Sequence, residues 1–249
     1  MTARTEDVDF GCLPLVSQRL VDAAERFGAL PAAEAVRWWR KGSWLFQAGA
    51  PATAVFAVLD GAAVRRKACL SGESLAVDLV TRGGILGYRA HLGYEAHRLS
   101  AQCVTDTLVC QINVDDLERA LAAERELERD LLCEVAQDLN TAHERILHVA
   151  TLSVHDRLLI VLAQLSRDFT TMNDERTLVL APPVSRTDMA ALAGMTPESL
   201  SRCIRTLEAE GLAHFSRHHV VIPSVTRFRD ALEAIGVSAD GSVELSLAS

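Results

Sequence analysis

The apolar positions follow three different rhythms along the chain. From Arg40 to Ile112, short apolar runs alternate with glycine turns: Trp44–Phe46, Val55–Leu59, Ala62–Arg66, Leu75–Val80, Leu99–Val104 and Leu108–Ile112. Gly42, Gly49, Gly61, Gly72, Gly83, Gly84 and Gly87 punctuate them. Closely spaced short strands with turn signals predict a small antiparallel barrel or jelly roll. Val16–Phe27 has the spacing of a short amphipathic helix ahead of it. From Val114 to Val149 the period becomes seven. Leu132, Leu139 and Ile146 interleave with Val135, Ala142 and Val149 as the two core series of a heptad, flanked by Glu134, Asp138, Glu144 and Arg145. This predicts one long helix that pairs with a second copy; the competing reading is a single helix packed on its own barrel.

The third rhythm begins after a bend at Ser153–Asp156. Leu158, Leu162 and Leu165 form a core stripe on a helix over Arg157–Phe169, Thr170–Arg176 reads as a polar loop, and Leu178–Leu180 as a short strand. Beyond Pro182–Pro183, the stretch Ser185–Leu207 has the layout of a helix-turn-helix. Ser185 and Asp188 match a capping box, and Met189, Leu192 and Ala193 lie at helical spacing. Gly194 supplies the turn, Thr196 an N-cap and Pro197 a first helical residue that needs no amide donor. Leu200, Cys203, Ile204 and Leu207 form one apolar stripe. Glu198, Ser201, Arg202 and Arg205 fall on the opposite face, near the helix N-terminus, where a recognition helix meets base edges. Arginine matches guanine, a carboxylate accepts from cytosine N4, and serine adapts to either role. A solvated helix face would look similar in its polar positions alone; the caps and the turn favour the reading motif. Leu212–Phe215 and Val220–Ile222 then flank Ser216–His219, which predicts a two-stranded wing with Arg217, His218 and His219 near its tip, placed for phosphates. The tail after about Ile235 carries no usable pattern.

The fold expected is therefore α+β. A β-roll (double-stranded β-helix or jelly roll) occupies residues 1–113, a dimerisation helix 114–152, a winged helix-turn-helix 153–235 and a tail 236–249. At 249 residues, 49% hydrophobic and 23% charged, the chain can bury real cores. A net charge of −8 argues against non-specific coating of nucleic acid but leaves room for a locally favourable reading head. The opening MTARTEDVDF lacks an apolar leader, and no apolar run is long enough for a bilayer, so a cytoplasmic location is expected. The six cysteines form no CxxC pair. No close metal triad, Ser/His/Asp order or phosphate loop is present, so enzyme chemistry is not expected, nor any cofactor.

The order barrel, long helix, winged helix-turn-helix resembles the Crp/Fnr superfamily of bacterial transcription regulators. The resemblance runs from about Cys12 to Ile235. Its anchors are KGSWLFQAG (Lys41–Gly49), FAVLDGAAV (Phe56–Val64), GGILGYRA (Gly83–Ala90), SAQCVTDTLVCQI (Ser100–Ile112) and PESLSR (Pro197–Arg202). The last two look like the FNR and FixK branch. The cyclic-AMP branch has an arginine before the helix glutamate and a glycine at the place of Ser201; here Pro197 precedes Glu198. The resemblance implies a homodimer on duplex DNA, with RNA polymerase as a further partner. It also implies that Glu198, Ser201 and Arg202 read TTGAT half-sites in a TTGAT-N4-ATCAA-like palindrome. Arg205, Ser185, Arg186, Thr196 and Arg217 are the remaining candidate DNA contacts.

Three signals for the roll can be weighed against the same family. Its cyclic-nucleotide cassette needs Gly-Glu and then Arg-Ser/Thr-Ala; here Gly87 is followed by Tyr88 and Arg89, and Arg98-Leu99-Ser100-Ala101 is a broken second half. The FNR-type iron–sulfur cluster needs four thiolates. Cys12 and Cys110 match two of them by context, and Ala3 and Glu6 fall near the other two, so the pair is a candidate redox couple or a remnant. His91, Glu95 and His97 are close enough in sequence to suggest haem or zinc ligation. On the dimer seam the FNR-type sensor carries an acidic residue that opposes pairing; the matching position here is Ala142, which predicts a dimer formed without a cluster. Cys203, on the reading helix, is either a packing thiol or a site where oxidation would stop DNA binding.

Overall fold

The structure, a computed structural model, describes residues 13–28, 35–69, 74–93, 95–173 and 176–237. It divides into two compact units, residues 1–139 and 140–249. The first unit opens with α1 (Leu15–Phe27) and continues with β1 (Val36–Trp39), β2 (Trp44–Phe46), β3 (Ala54–Asp60), β4 (Ala63–Ala68), β5 (Ser74–Val80) and β6 (Ile85–Leu86). A short helix α2 (Tyr88–Leu92) precedes β7 (Ser100–Cys103) and β8 (Thr107–Asn113), followed by α3 (Val114–Ala123) and α4 (Arg125–Thr151). The strands form two antiparallel sheets of four, in the orders β1-β8-β3-β6 and β2-β7-β4-β5. This is the expected roll, with β1 and the two-residue β6 added.

Strand β3 explains why the roll is stable. Successive side chains of a strand point to opposite faces. Ala54, Phe56 and Val58 enter the core between the sheets, with Leu86, Ala101 and Val109. Val55, Ala57 and Leu59 enter a second core against the helices, with Leu20, Leu117, Leu127 and Leu131. A strand buried on both faces reads as one continuous apolar run, and FAVL within it does. Gly87 ends the β6 turn at φ 91°, where an added Cβ would lie 2.7 Å from the Ala54 carbonyl oxygen. Only glycine lets α2 start there.

The single helix expected over Val114–Val149 is two helices. Glu124 is extended, at φ −130° and ψ 92°, and separates α3 from α4. Leu117 and Ala120 of α3, and Leu127 and Leu131 of α4, all enter the core beneath the first sheet. The break lets both helices face it. Arg19 of α1 holds α4 through Glu126 at 2.8 Å and Asp130 at 2.9 Å, and Arg26 pairs with Glu124 at the break. After Leu131 the buried stripe stops. Leu132, Val135, Leu139, Ala142, Ile146 and Val149 all lie exposed on α4.

The second unit contains the end of α4, α5 (Val154–Phe169), β9 (Thr170–Asn173), β10 (Leu178–Leu180), α6 (Arg186–Leu192), α7 (Pro197–Ala209), β11 (His214–Phe215), β12 (Val220–Ile222) and α8 (Val225–Glu233). The bend at Ser153 is a helix cap: its hydroxyl accepts the Asp156 amide, so α5 starts before Arg157. Thr170–Arg176 was expected as a loop. Its first four residues instead form β9, the edge strand of an antiparallel sheet ordered β11-β12-β10-β9. Edge strands tolerate polar residues, which hid this one. Helix α8 was not anticipated either; Ser224 caps it, and Phe228 and Leu232 bury it. Among the described residues no helix is long and apolar enough to cross a membrane.

Candidate nucleic-acid interface

The reading motif is built by local chemistry. The Ser185 hydroxyl accepts the Asp188 amide at 3.0 Å, and the Asp188 carboxylate accepts the Ser185 amide at 3.4 Å, completing the capping box of α6. Gly194 takes φ 63° in the turn. Thr196 caps α7 by accepting the Ser199 amide at 3.2 Å, and Pro197 occupies the first helical position. Helix α7 buries Leu200, Cys203, Ile204 and Leu207, the four residues of the apolar stripe. Its other face presents Glu198, Ser201, Arg202 and Arg205 to solvent, and Ser185, Arg186, Thr196 and Arg217 are exposed as well.

These side chains are poised as donors and acceptors. The helix N-terminal amide of Glu198 and the Thr196 hydroxyl hold the Glu198 carboxyl below its usual range, so it is an anionic acceptor at neutral pH. Ser201 donates to the Pro197 carbonyl at 2.9 Å and is exposed to solvent. Arg205 donates through Nε to the Ser201 carbonyl at 3.3 Å. The wing closes through a tight turn in which the Ser216 amide donates to the His219 carbonyl at 2.9 Å, leaving Arg217, His218 and His219 at the exposed tip. Contacts not visible in the sequence tie the wing to the reading helices. Glu208 of α7 accepts the Phe215 amide at 3.0 Å, and the Arg186 guanidinium lies 5.7 Å from the Phe215 ring centre.

In the roll, the residues weighed for ligands go separate ways. His91 pairs with Glu118 at 3.2 Å, His97 stacks on Phe46 with ring centres 3.9 Å apart, and Glu95 pairs with Arg98 at 2.6 Å. No group of three His, Cys, Asp or Glu among the described residues could hold a metal ion. Cys110 is buried in the helix-side core, and burial pushes its thiol up to about 12, which disfavours the thiolate that redox exchange requires. Cys12, Ala3 and Glu6 lie outside the described residues. Burial also raises the Cys203 thiol, in keeping with a packing role.

A feature the sequence did not expose occupies the place of the nucleotide cassette. Asp138 of α4, read only as a charged flank, accepts from Arg65 at 3.2 Å and from Arg89 Nε at 2.6 Å, and also from the Tyr88 hydroxyl. Arg65 is bound on its other side by Asp78 at 2.6 Å. Burial opposes the charge on Arg65, but the two carboxylates outweigh it and raise its pKa. Burial likewise works against the Asp138 charge; its hydrogen bonds, led by Arg65, prevail and lower its pKa. Tyr88 is pushed up to about 12 by burial and by Asp138. Beside this cluster lies a cavity of about 190 Å³ lined in part by Phe46, Arg65, Arg89, His97 and Arg98. The residues do not fit a cyclic nucleotide. The resemblance puts Tyr88 at the position of the family's ribose-holding glutamate, the cassette arginine Arg98 is paired with Glu95, and Arg65 and Arg89 are engaged by Asp138.

Comparison with known proteins agrees with this architecture. Residues 36–124 match the family model of the cyclic nucleotide-binding domain, and residues 156–231 that of the Crp-like helix-turn-helix domain. The anaerobic regulatory protein of Pasteurella multocida is 23% identical over 184 residues, covering 74% of this chain and 66% of its own length. The transcriptional activator protein FnrL of Cereibacter sphaeroides is 24% identical over 226 residues, 88% of each chain. The solved structure of FixK2 from Bradyrhizobium japonicum superposes with a TM-score of 0.68 at 23% identity, covering 79% of this chain and 96% of that one. With both domain models in their expected order on the expected fold, the chain belongs to the Crp/Fnr family of DNA-binding transcription regulators.

Proposed function

We propose that the chain works as a homodimer in the cytoplasm and reads a TTGAT-N4-ATCAA-like inverted repeat. Glu198, Ser201 and Arg202 contact bases, and Arg205, Ser185, Arg186, Thr196 and Arg217 contact the backbone or flanks. The observation that carries this reading is the apolar heptad face of α4. Leu132 is 57% exposed, Leu139 54%, Ile146 67% and Val149 54%. A row of large apolar side chains in water marks an association surface, and heptad spacing fits a copy of the same helix. Two-fold pairing then delivers two copies of α7 to half-sites one helical turn apart. The relatives named as activators favour activation, with RNA polymerase as the partner at the promoter.

No nucleotide effector is needed in this reading, because Asp138 satisfies the arginines from within. The adjoining cavity favours a second reading, in which a small anion competes with Asp138 and tunes DNA affinity. Fluorescence anisotropy on a labelled TTGAT-N4-ATCAA duplex tests both. Binding without additive, about 10³-fold or more tighter than on a scrambled duplex, supports the first. Binding that appears only with an added effector supports the second, and indifference to sequence refutes both.

A further inference from the structure

We propose that Arg157 locks the angle between the reading helices and the dimer helix, and so sets which half-site spacing the protein accepts. This rests on the dimer and palindrome reading above. Arg157 lies on α5 and spends its guanidinium on four main-chain carbonyls. Nε donates to Ala193 at 2.9 Å and Nη2 to Gly194 at 3.2 Å, in the turn between α6 and α7. Nη1 donates to Leu152 at 3.0 Å and to Val149 at 3.3 Å, at the end of α4. From α4 itself, Arg145 donates to the Leu192 carbonyl, the last of α6, at 3.1 Å. The approach is close: a Cβ on Gly194 would lie 2.9 Å from the Val149 side chain.

The electrostatics require a cation here. The last carbonyls of a helix are unpaired and carry partial negative charge. The C-terminal ends of α4 and α6 therefore converge on one point, and without a cation they would repel. A guanidinium suits the place because its rigid planar fork donates in several directions at once, whereas an ammonium is a point charge that fixes no angle. Helix α7 follows α6 directly through Gly194, so its setting is indexed to the helix that forms the dimer seam. Adding one base pair between half-sites moves them apart by about 3.4 Å and rotates one by about 34°. Heads held rigidly tolerate one spacing; heads on a loosened joint tolerate several.

The test uses the full-length wild type and the variants Arg157→Ala, Arg157→Lys and Arg145→Ala. Each is titrated by anisotropy against TTGAT/ATCAA duplexes with spacers of about 3, 4 and 5 base pairs and against a single half-site, after a thermal melt confirms folding. Wild type is expected to favour one spacing about tenfold or more. Arg157→Ala should reduce that preference to about threefold or less while changing half-site affinity less than about threefold, with Arg157→Lys in between. If Arg157→Ala does not fold, Arg145→Ala takes its place and should show a smaller drop of the same kind. A uniform loss of affinity that keeps the spacing preference, in whichever variant folds, overturns the proposal and leaves the palindrome reading intact. A wild type with no preference for any spaced palindrome removes both.

Discussion

Leu131 and Leu139 of α4 should respond in opposite ways to the same substitution. Leu131 is 1% exposed in the helix-side core, whereas Leu139 is 54% exposed on the heptad face. Complete burial of a leucine contributes about 1.5–3 kcal/mol, so the half still in water is worth about 1 kcal/mol when a partner covers it. A two-fold interface contains the residue twice, which makes the loss on Leu139→Ala about 2 kcal/mol. That raises the dimer dissociation constant about 30-fold. The folded monomer should barely notice, since alanine is the better helix former and little packing is removed. Leu131→Ala, by contrast, opens a cavity in the roll and costs about 2–5 kcal/mol of folding stability. Sedimentation equilibrium over a range of concentrations measures the first effect, and thermal unfolding by circular dichroism the second. An unchanged dissociation constant in Leu139→Ala, or a wild type that is monomeric at micromolar concentration, refutes the assignment of this face.

Three further outcomes follow from the sites. Arg202→Ala should cost about 1–3 kcal/mol on the palindrome and flatten discrimination between half-site variants, whereas Arg217→Ala should weaken all duplexes alike and lower the salt slope by about 1, both read by anisotropy at several salt concentrations. Asp138→Asn removes the carboxylate shared by Arg65, Arg89 and Tyr88, and should lower stability at neutral pH by about 1–3 kcal/mol. Because the folded pKa of Asp138 is lowered, its contribution is full above the unfolded value of about 3.9 and disappears as pH falls through the folded value; the difference between wild type and Asp138→Asn in urea unfolding should shrink in acid accordingly. His155, held between Asp156 at 3.1 Å and Glu210 at 2.9 Å, has a raised pKa: burial lowers it, but the two carboxylates prevail. Its stabilisation is present below about pH 6.5 and is lost as pH rises through the folded value, and Glu210→Gln should reduce that dependence in the same unfolding series.

The parts legible in the sequence are those made by neighbours. Ser185 and Asp188, Gly194, Thr196 and Pro197 form caps and a turn within a few residues, so the reading helices could be placed closely. Strands β2, β3, β4, β5, β7 and β8 were legible because glycine turns separate them, whereas β1 and the two-residue β6 were not. The break at Glu124 could not be read, since no proline or glycine marks it and the surrounding residues favour helix; it arises because α3 and α4 serve one core. Strand β9 was hidden by the polar composition of a sheet edge. Asp138 was legible only as a flank charge on a heptad, because its partners lie 73, 50 and 49 residues away. Arg157 escaped for a related reason: its acceptors are main-chain carbonyls, which no residue pattern reveals.

The most direct test of the central claim is selection of bound duplexes from random DNA by the purified full-length protein. Enrichment of an inverted repeat whose TTGAT-like arms are centred about one helical turn apart is the expected result. Enrichment of an isolated or direct-repeat motif, or of none, would contradict it.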